Sequence, residues 1–421
     1  MGNRVTEFME AVKANDARGC AALLSAHPSE LKPALERSIP GWAFGETPLI
    51  AAVRSRNREM IDLLLDAGAD LNVRTKWWAG GFGVLDEAAS DAALAQYLIE
   101  RGIIVDVHAA ARLGKLDHLR MLIGASPDLV HARGGDGMMP LHFAATVEIA
   151  RYLVEECGAD IDARDVDHES TAAQYMVRDR QDIARYLVSR GCKTDILMAA
   201  ALGDAELVGR FEDVRTCVSP KYFPMKNPHA GGSIYIWTLG VRKMAHLLAR
   251  EFGHLEIFES LMERSPAGLR LAIACELGEE ATARALIGSE LTAEDRERIV
   301  GAARGNDFGK VRLMLECGWP AGALDCGETA LHWAAFHGNL ALVQLLVEHG
   351  APLDLTDPIH GGTPLGWAEY GSSHSWNCKI GDYPAVIGYL RKQGIPDPPR
   401  KSSDGAAPHE SLTHGDVVRR P

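Results

Sequence analysis

The sequence predicts an all-α repeat solenoid of stacked helix-turn-helix units, on three observations. Helical stretches repeatedly end in an apolar run followed by glycine: IDLLLDAGADLN from Ile61, AQYLIERG from Ala95, ARYLVEECGADIDARD from Ala150, ARYLVSRGC from Ala184, VRLMLECG from Val311 and VQLLVEHGAPLDLTD from Val343. Gly68 to Gly102 is 34 residues, Gly158 to Gly191 is 33 and Gly318 to Gly350 is 32. Small residues precede many of these endings, as in HAAARLGKLDHL and LMAAALGDAELV. A fixed period near 33 residues means one supersecondary unit that buries its apolar faces only against its neighbours.

The most regular unit, GETALHWAAFHGNLALVQLLVEHGAPLD, shows how each element arises. Thr329 is placed to cap a first helix, and Ala334 and Ala335 let a second helix approach closely. Gly338 breaks the first helix. Leu342, Val343, Leu345 and Leu346 then form the apolar stripe of a second helix, which Gly350 ends in a left-handed conformation. Weaker copies fill the gaps: 5–35, 83–106, 107–133, 171–194, 195–215, 241–265, 269–291 and 296–324. The array therefore spans residues 1–397 in about a dozen units. Two copies are shortened after their small pair, at Ser90 and Thr146, and their first helix or its turn must be truncated. Three segments break the rhythm: 73–82 (VRTKWWAGGF), 217–240 (CVSPKYFPMKNPHAGGSIYIWTLG) and 371–383 (GSSHSWNCKIGDY). Each combines glycine or proline with aromatics, a composition poor for helix. Residues 398–421, rich in Pro, Ser, Gly and charge, read as a disordered tail.

Upstream of the helical endings stand GETPLIAAV from Gly45, MMPLHFAA from Met138, GETALHWAAFHGN from Gly327 and GGTPLGWAEYG from Gly361. These resemble the T-P-L-H-x-A opening of the ankyrin repeat, and the resemblance covers nearly all of residues 5–395. More closely, DHESTAAQYM, TDILMAAALGD, GGSIYIWTLG, ALHWAAFHGN and HSWNCKIGDY, in that order, resemble an uncharacterised group of bacterial ankyrin-repeat proteins. That group supplies no activity. Ankyrin arrays in general imply a fold of helix pairs joined by β-hairpin-like loops, and recognition of macromolecules through hairpin tips and inner helices lining a concave face. The partner itself has to be argued from sites.

Composition narrows the function classes. The 421 residues are 47% hydrophobic and 24% charged, which suits folded protein, and 44 Lys plus Arg against 57 Asp plus Glu give a net charge of −13. That sign disfavours general affinity for nucleic acid or anionic lipid. No stretch approaches the roughly 20 apolar residues of a membrane span, and Met1 to Asn15 lacks the apolar stretch of a secretory leader. Eight scattered cysteines without CxxC pairs read as reduced thiols, so the expected location is cytoplasmic.

No phosphate-binding glycine loop, HExxH, GxSxG or dinucleotide fingerprint occurs, so no catalytic residue or cofactor is expected. His374 with Cys378 offers only two ligands where a closed zinc site takes four, and no metal is assigned. His142 and His332 occupy the T-P-L-H position, where the imidazole bridges backbone groups. The expected partner-binding residues are Trp77, Trp78 and Phe82 in the first irregular segment, Asp165 and His168 at a hairpin tip, Phe336 and His337 after an Ala pair, and Trp376 and Tyr383 in the last insert. For Asp165 and His168 turn chemistry competes with recognition. For the Trp77–Trp78 pair local packing competes with contact. Tyr222, Phe223, Tyr235 and Trp237 are expected to bury themselves and pin segment 217–240. The leading function is a non-enzymatic scaffold for an unidentified protein, with no nucleic-acid or membrane partner. The alternative is an enzyme or small-ligand receptor with a pocket under 217–240. A basic patch of Lys221, Lys226, Arg242 and Lys243 for nucleic acid ranks last.

Overall fold

The computed structural model describes residues 2–394. The tail expected at 398–421 lies outside the described residues. Helix pairs recur along the chain, beginning with Asn3–Lys13 and Ala17–Ala26, then Pro48–Arg54 and Arg58–Asp66, and ending with Pro364–His374 and Tyr383–Lys392. Each weaker copy is a helix pair too, among them Val107–Arg112 with Leu116–Ala125 and Ala267–Leu277 with Glu280–Ala285. The fold is an all-α repeat solenoid. Its helices gather into two compact units, one comprising the described residues up to Asp204 with Cys217–Lys243, the other Ala205–Thr216 and the described residues from Met244 on. No helix among the described residues is long and apolar enough to cross a membrane.

The regular repeat of the second unit folds as its residues dictate. The Thr329 hydroxyl accepts the His332 N–H at 3.4 Å, opening helix Ala330–Phe336. His332 Nδ1 accepts the Thr329 N–H at 3.1 Å, which leaves the proton on Nε2 to reach the Leu355 and Gly362 carbonyls at 3.1 and 3.2 Å. One imidazole thus ties a helix start to the next hairpin. Helix Leu340–Glu348 is capped by Asn339, whose Oδ1 accepts the Leu342 N–H at 3.1 Å. The same cap recurs at Asp16, Asn57, Asp91, Asp307 and Asp382, each worth about 1 kcal/mol. Ala334, Ala335, Leu342, Val343 and Leu346 are fully buried in one core. Leu345 is not on that stripe's centre: it is half-buried at its edge.

The shortened copies are truncated at their first helix. Val84–Ala88 has 5 residues and Pro140–Phe143 is a single 3-10 turn, against 7 residues in Ala330–Phe336; Ala172–Met176, in a copy not expected to be short, also has 5. Hairpins link the pairs: Leu324 faces Thr329 and Asp325 faces Glu328, while Arg74 bridges Gly83 and Arg164 bridges Thr171. The insert expected from 371 departs from its composition, because residues 371–374 extend helix Pro364–His374. Gly371 makes this possible. A Cβ there would collide with the Phe336 carbonyl oxygen, so only glycine lets the two helices cross so closely.

Two stability predictions follow from this packing. Leu346→Ala should cost about 2–5 kcal/mol in chemical denaturation, and Leu345→Ala clearly less, because only the first leaves a fully lined cavity. His246, with Nε2 2.8 Å from the Ser265 hydroxyl, is buried, and desolvation lowers its pKa to about 4. Burial also lowers His142, His332 and His337. Between the ordinary histidine value of about 6.5 and the folded value, the unfolded chain binds protons that the native state refuses. Stability should therefore be full above about pH 6.5 and fall as pH drops toward 4, with His246 alone responsible for a loss on the order of 2–3 kcal/mol. Denaturation midpoints at pH 7 and 4.5 should converge measurably in His246→Gln.

Candidate functional site

In the first unit, backbone hydrogen bonds join successive hairpin tips. The Asp136 N–H donates to the Gly80 carbonyl at 3.1 Å, and the Asp136 carbonyl accepts the N–H groups of Val166 at 2.9 Å and Asp167 at 3.1 Å. The Asp167 carbonyl in turn accepts the Gly231 N–H at 2.8 Å. Asp136 holds a left-handed conformation, φ 55°. The Arg133 guanidinium clamps the same edge through the carbonyls of Gly137 at 2.6 Å and Arg164 at 3.1 Å. Asp165 spends its carboxylate on the turn, accepting from His168 N–H and Ser170 N–H at 2.7 Å each and from the Tyr175 hydroxyl at 3.1 Å. It is buried, and its role is turn chemistry.

Segment 217–240 is strapped onto these tips. The Glu169 carboxylate accepts the N–H groups of Lys226 and Asn227 at 2.9 and 2.8 Å, and the Ser170 hydroxyl accepts the Ile234 N–H at 3.1 Å. Tyr235 is fully buried on helix Ile234–Thr238, and its hydroxyl donates to Asp195 at 3.0 Å. Desolvation raises the pKa of both partners, so the tyrosine keeps its proton. Phe223 packs edge-on against Tyr235 at 5.4 Å, while Trp237 is only partly covered and donates to the Gly231 carbonyl at 3.2 Å.

Where strap and tips meet, three ionisable side chains converge. His168 Nδ1 lies 2.8 Å from the Gly232 carbonyl, so that nitrogen carries a proton. Its Nε2 stands 3.8 Å from Asp136 Oδ2 and 3.8 Å from Asp167 Oδ2. Burial raises the Asp167 pKa, and Asp167 Oδ1 accepts the Gly231 N–H at 3.1 Å. Tyr175 and Trp237 wall the His168 ring at 6.2 and 6.0 Å.

Family comparison agrees with this architecture. The profile described as Ankyrin repeats (3 copies) matches residues 107–198 and 299–380, and that described as Ankyrin repeat matches 44–76. The chain is an ankyrin-repeat protein. Comparison with curated proteins gave no match. In this ankyrin-repeat protein the converging groups come from adjacent repeats. Asp136 precedes His168 by 168 − 136 = 32 residues, one repeat, so the two occupy equivalent tip positions. Sequence reasoning singled out His168 but missed Asp136; the one-repeat offset was the signal that could have found it. Segment 217–240 lies outside all matched intervals.

The expected contact residues divide by exposure. Trp77 packs on Phe44 with ring centroids 4.5 Å apart, and Phe82 lies 6.4 Å from the same ring. Trp78, its neighbour, is 44% exposed beside His229 at 6.2 Å. In the second unit Phe336 is partly buried among Trp367, Tyr370 and Trp376, at 5.9, 6.5 and 5.3 Å. His337 does not look outward as expected: it is buried, its Nε2 on the Arg304 carbonyl at 2.8 Å and its Nδ1 on the Asn377 amide at 3.0 Å. Tyr383 is also buried, donating to the Phe336 carbonyl at 3.0 Å. Both hold the insert down. Trp376 and Tyr370 are left 46% and 59% exposed. A cleft in the first unit is lined by Asn72, Arg74, Asp86, Ile104 and Asp106 and by no residue of 217–240.

The relay of tips has a direct test. Gly80 sits at φ 135°, and a Cβ there would collide with the Gly134 carbonyl oxygen. Gly80→Ala should cost about 1–3 kcal/mol and speed amide exchange at Asp136, while amides of the Leu340–Glu348 helix keep their protection.

Proposed function

We propose that the protein is a non-catalytic scaffold that binds a protein partner through exposed aromatics carried on its irregular segments. Ankyrin repeats are generally protein-interaction modules, and the family is typically non-catalytic. The observation that carries the reading is Trp78: a large apolar side chain stands exposed on a tip whose Gly80 carbonyl accepts the Asp136 N–H of the next tip and whose Trp77 ring packs on Phe44. Holding an indole in water on a rigid support matches the buried-anchor pattern of interfaces, where tryptophan is enriched among the few residues that carry most binding energy. Trp376 with Tyr370 forms a second exposed aromatic face in the other unit. The ligand-receptor alternative rests on a pocket beneath 217–240, where Tyr235 is fully buried.

The test uses a partner captured by affinity purification and identified by mass spectrometry, then titrated against purified variants. Trp78→Ala should weaken binding by about 2 kcal/mol or more with thermal stability near wild type. Trp77→Ala should instead lower stability, because its ring fills the space beside Phe44. If Trp78→Ala binds like wild type and Trp376→Ala does not, the contact belongs to the second aromatic face. If neither changes binding, the reading fails.

A further inference from the structure

We propose that Asp136, Asp167 and His168 form a binding site for one divalent first-row cation of the Zn2+ or Mn2+ class. The candidate ligand atoms, one from each residue, all lie within 4.8 Å of one another. His168 decides the chemistry. Its residue exposure is 7%, and with Nδ1–H given to the Gly232 carbonyl, the neutral ring turns its Nε2 lone pair inward. That lone pair meets no hydrogen-bond donor among the described residues; the two carboxylate oxygens stand 3.8 Å from it and are acceptors when ionised. An imidazole lone pair and two carboxylate oxygens this close are relieved by a shared proton or by a cation between them. A dication satisfies all three and balances the charge of two carboxylates.

The surroundings are built to hold the ligands in place. A ring N–H on a backbone carbonyl is the arrangement that orients metal-binding imidazoles and fixes their tautomer. Asp167 uses Oδ1 on the Gly231 N–H, which leaves Oδ2 directed at the cluster, and it pairs with no lysine or arginine among the described residues. The indole N–H of Trp77 is buried without a completed hydrogen bond and faces the Asp167 carboxylate, where an outer-shell donor would stand. Asp136 is positioned from its backbone, by the bonds to Gly80, Val166 and Asp167. Bonds of about 2.0–2.2 Å to nitrogen and oxygen place the ligands of a tetrahedral site about 3.4 Å apart, so each His168–carboxylate distance of 3.8 Å closes by a few tenths of an ångström, and the two carboxylates, within 4.8 Å of each other, draw together. The imidazole favours Zn2+ over Ca2+ and Mg2+, the two carboxylates also suit Mn2+, and water would complete the coordination. The rival arrangement is a protonated His168 bridging both carboxylates with no metal.

The experiment uses the full chain, stripped with chelator and titrated with ZnCl2 by calorimetry and with MnCl2 by electron paramagnetic resonance. Because the chain carries 16 histidines, the difference between wild type and variants is the readout. Asp136→Asn keeps a residue type that tolerates the left-handed backbone and removes only the charge. It and His168→Gln should each weaken one-to-one cation binding about tenfold or more while keeping the wild-type circular dichroism spectrum. Zn2+ at a fixed concentration should raise the wild-type melting temperature more than that of either variant. Should His168→Gln fail to fold, Asp136→Asn decides alone. Absence of a saturable site in wild type, or equal affinity in Asp136→Asn, overturns the proposal and leaves the protonated His168 bridge.

Discussion

The Asp136 carbonyl, accepting two N–H groups from the following hairpin, is the interaction on which the tip edge of the first unit depends. A hairpin such as 164–171, with one bridge between its arms, is not stable on its own. It gains order by donating to the hairpin before it and accepting from the strap after it. The helices obey the same nearest-neighbour logic, since His332 fixes its own helix start and the next hairpin with one ring. Stability in such an array is a sum of repeat terms and interface terms. The tips extend that sum to the edge farthest from the helices.

Most of the fold was legible because repeat physics is written locally. Apolar runs ending in glycine, Asn or Asp before each second helix and small-residue pairs are signals of short range, and they survive in copies that have lost T-P-L-H. The truncation at Ser90 and Thr146 was likewise visible as missing residues. Leu345 was misplaced because four apolar residues within five positions make a stripe wider than one neighbour can cover. Residues 371–374 read as loop since glycine and serine are poor helix formers, yet tertiary contact overrides propensity where only Gly371 permits the approach to Phe336.

The site was legible only in part, for a different reason. Sequence places Asp165 and His168 at a hairpin tip, and Asp165 does serve the turn. What sequence does not show is that residue 168 faces a neighbour one repeat back and a strap some 64 positions ahead. Trp77 and Trp78 are adjacent and chemically identical, so only the local backbone tells the packed ring from the exposed one. His337 and Tyr383 invited a recognition reading because they are polar aromatics beside an insert. The insert itself covers them, and its Asn377 amide and the carbonyls of Arg304 and Phe336 consume their polar atoms.

Both proposed sites lie where the repeat rhythm fails, and the cause is an accounting of polar groups. At regular positions polar side chains serve the stack: Thr329 and Asn339 cap helices, and His142 and His332 bridge to the next hairpin. Such residues cannot be lent to a ligand without destabilising a repeat. The irregular segments supply surface beyond what the stack requires. Segment 73–82 leaves Trp78 in water, segment 371–383 leaves Trp376, and segment 217–240 brings the Gly232 carbonyl to His168, turning an ordinary tip residue into one whose free nitrogen faces two carboxylates. An interruption that merely lengthened a loop would have no reason to bond every hairpin residue from Asp167 to Ser170, as this one does.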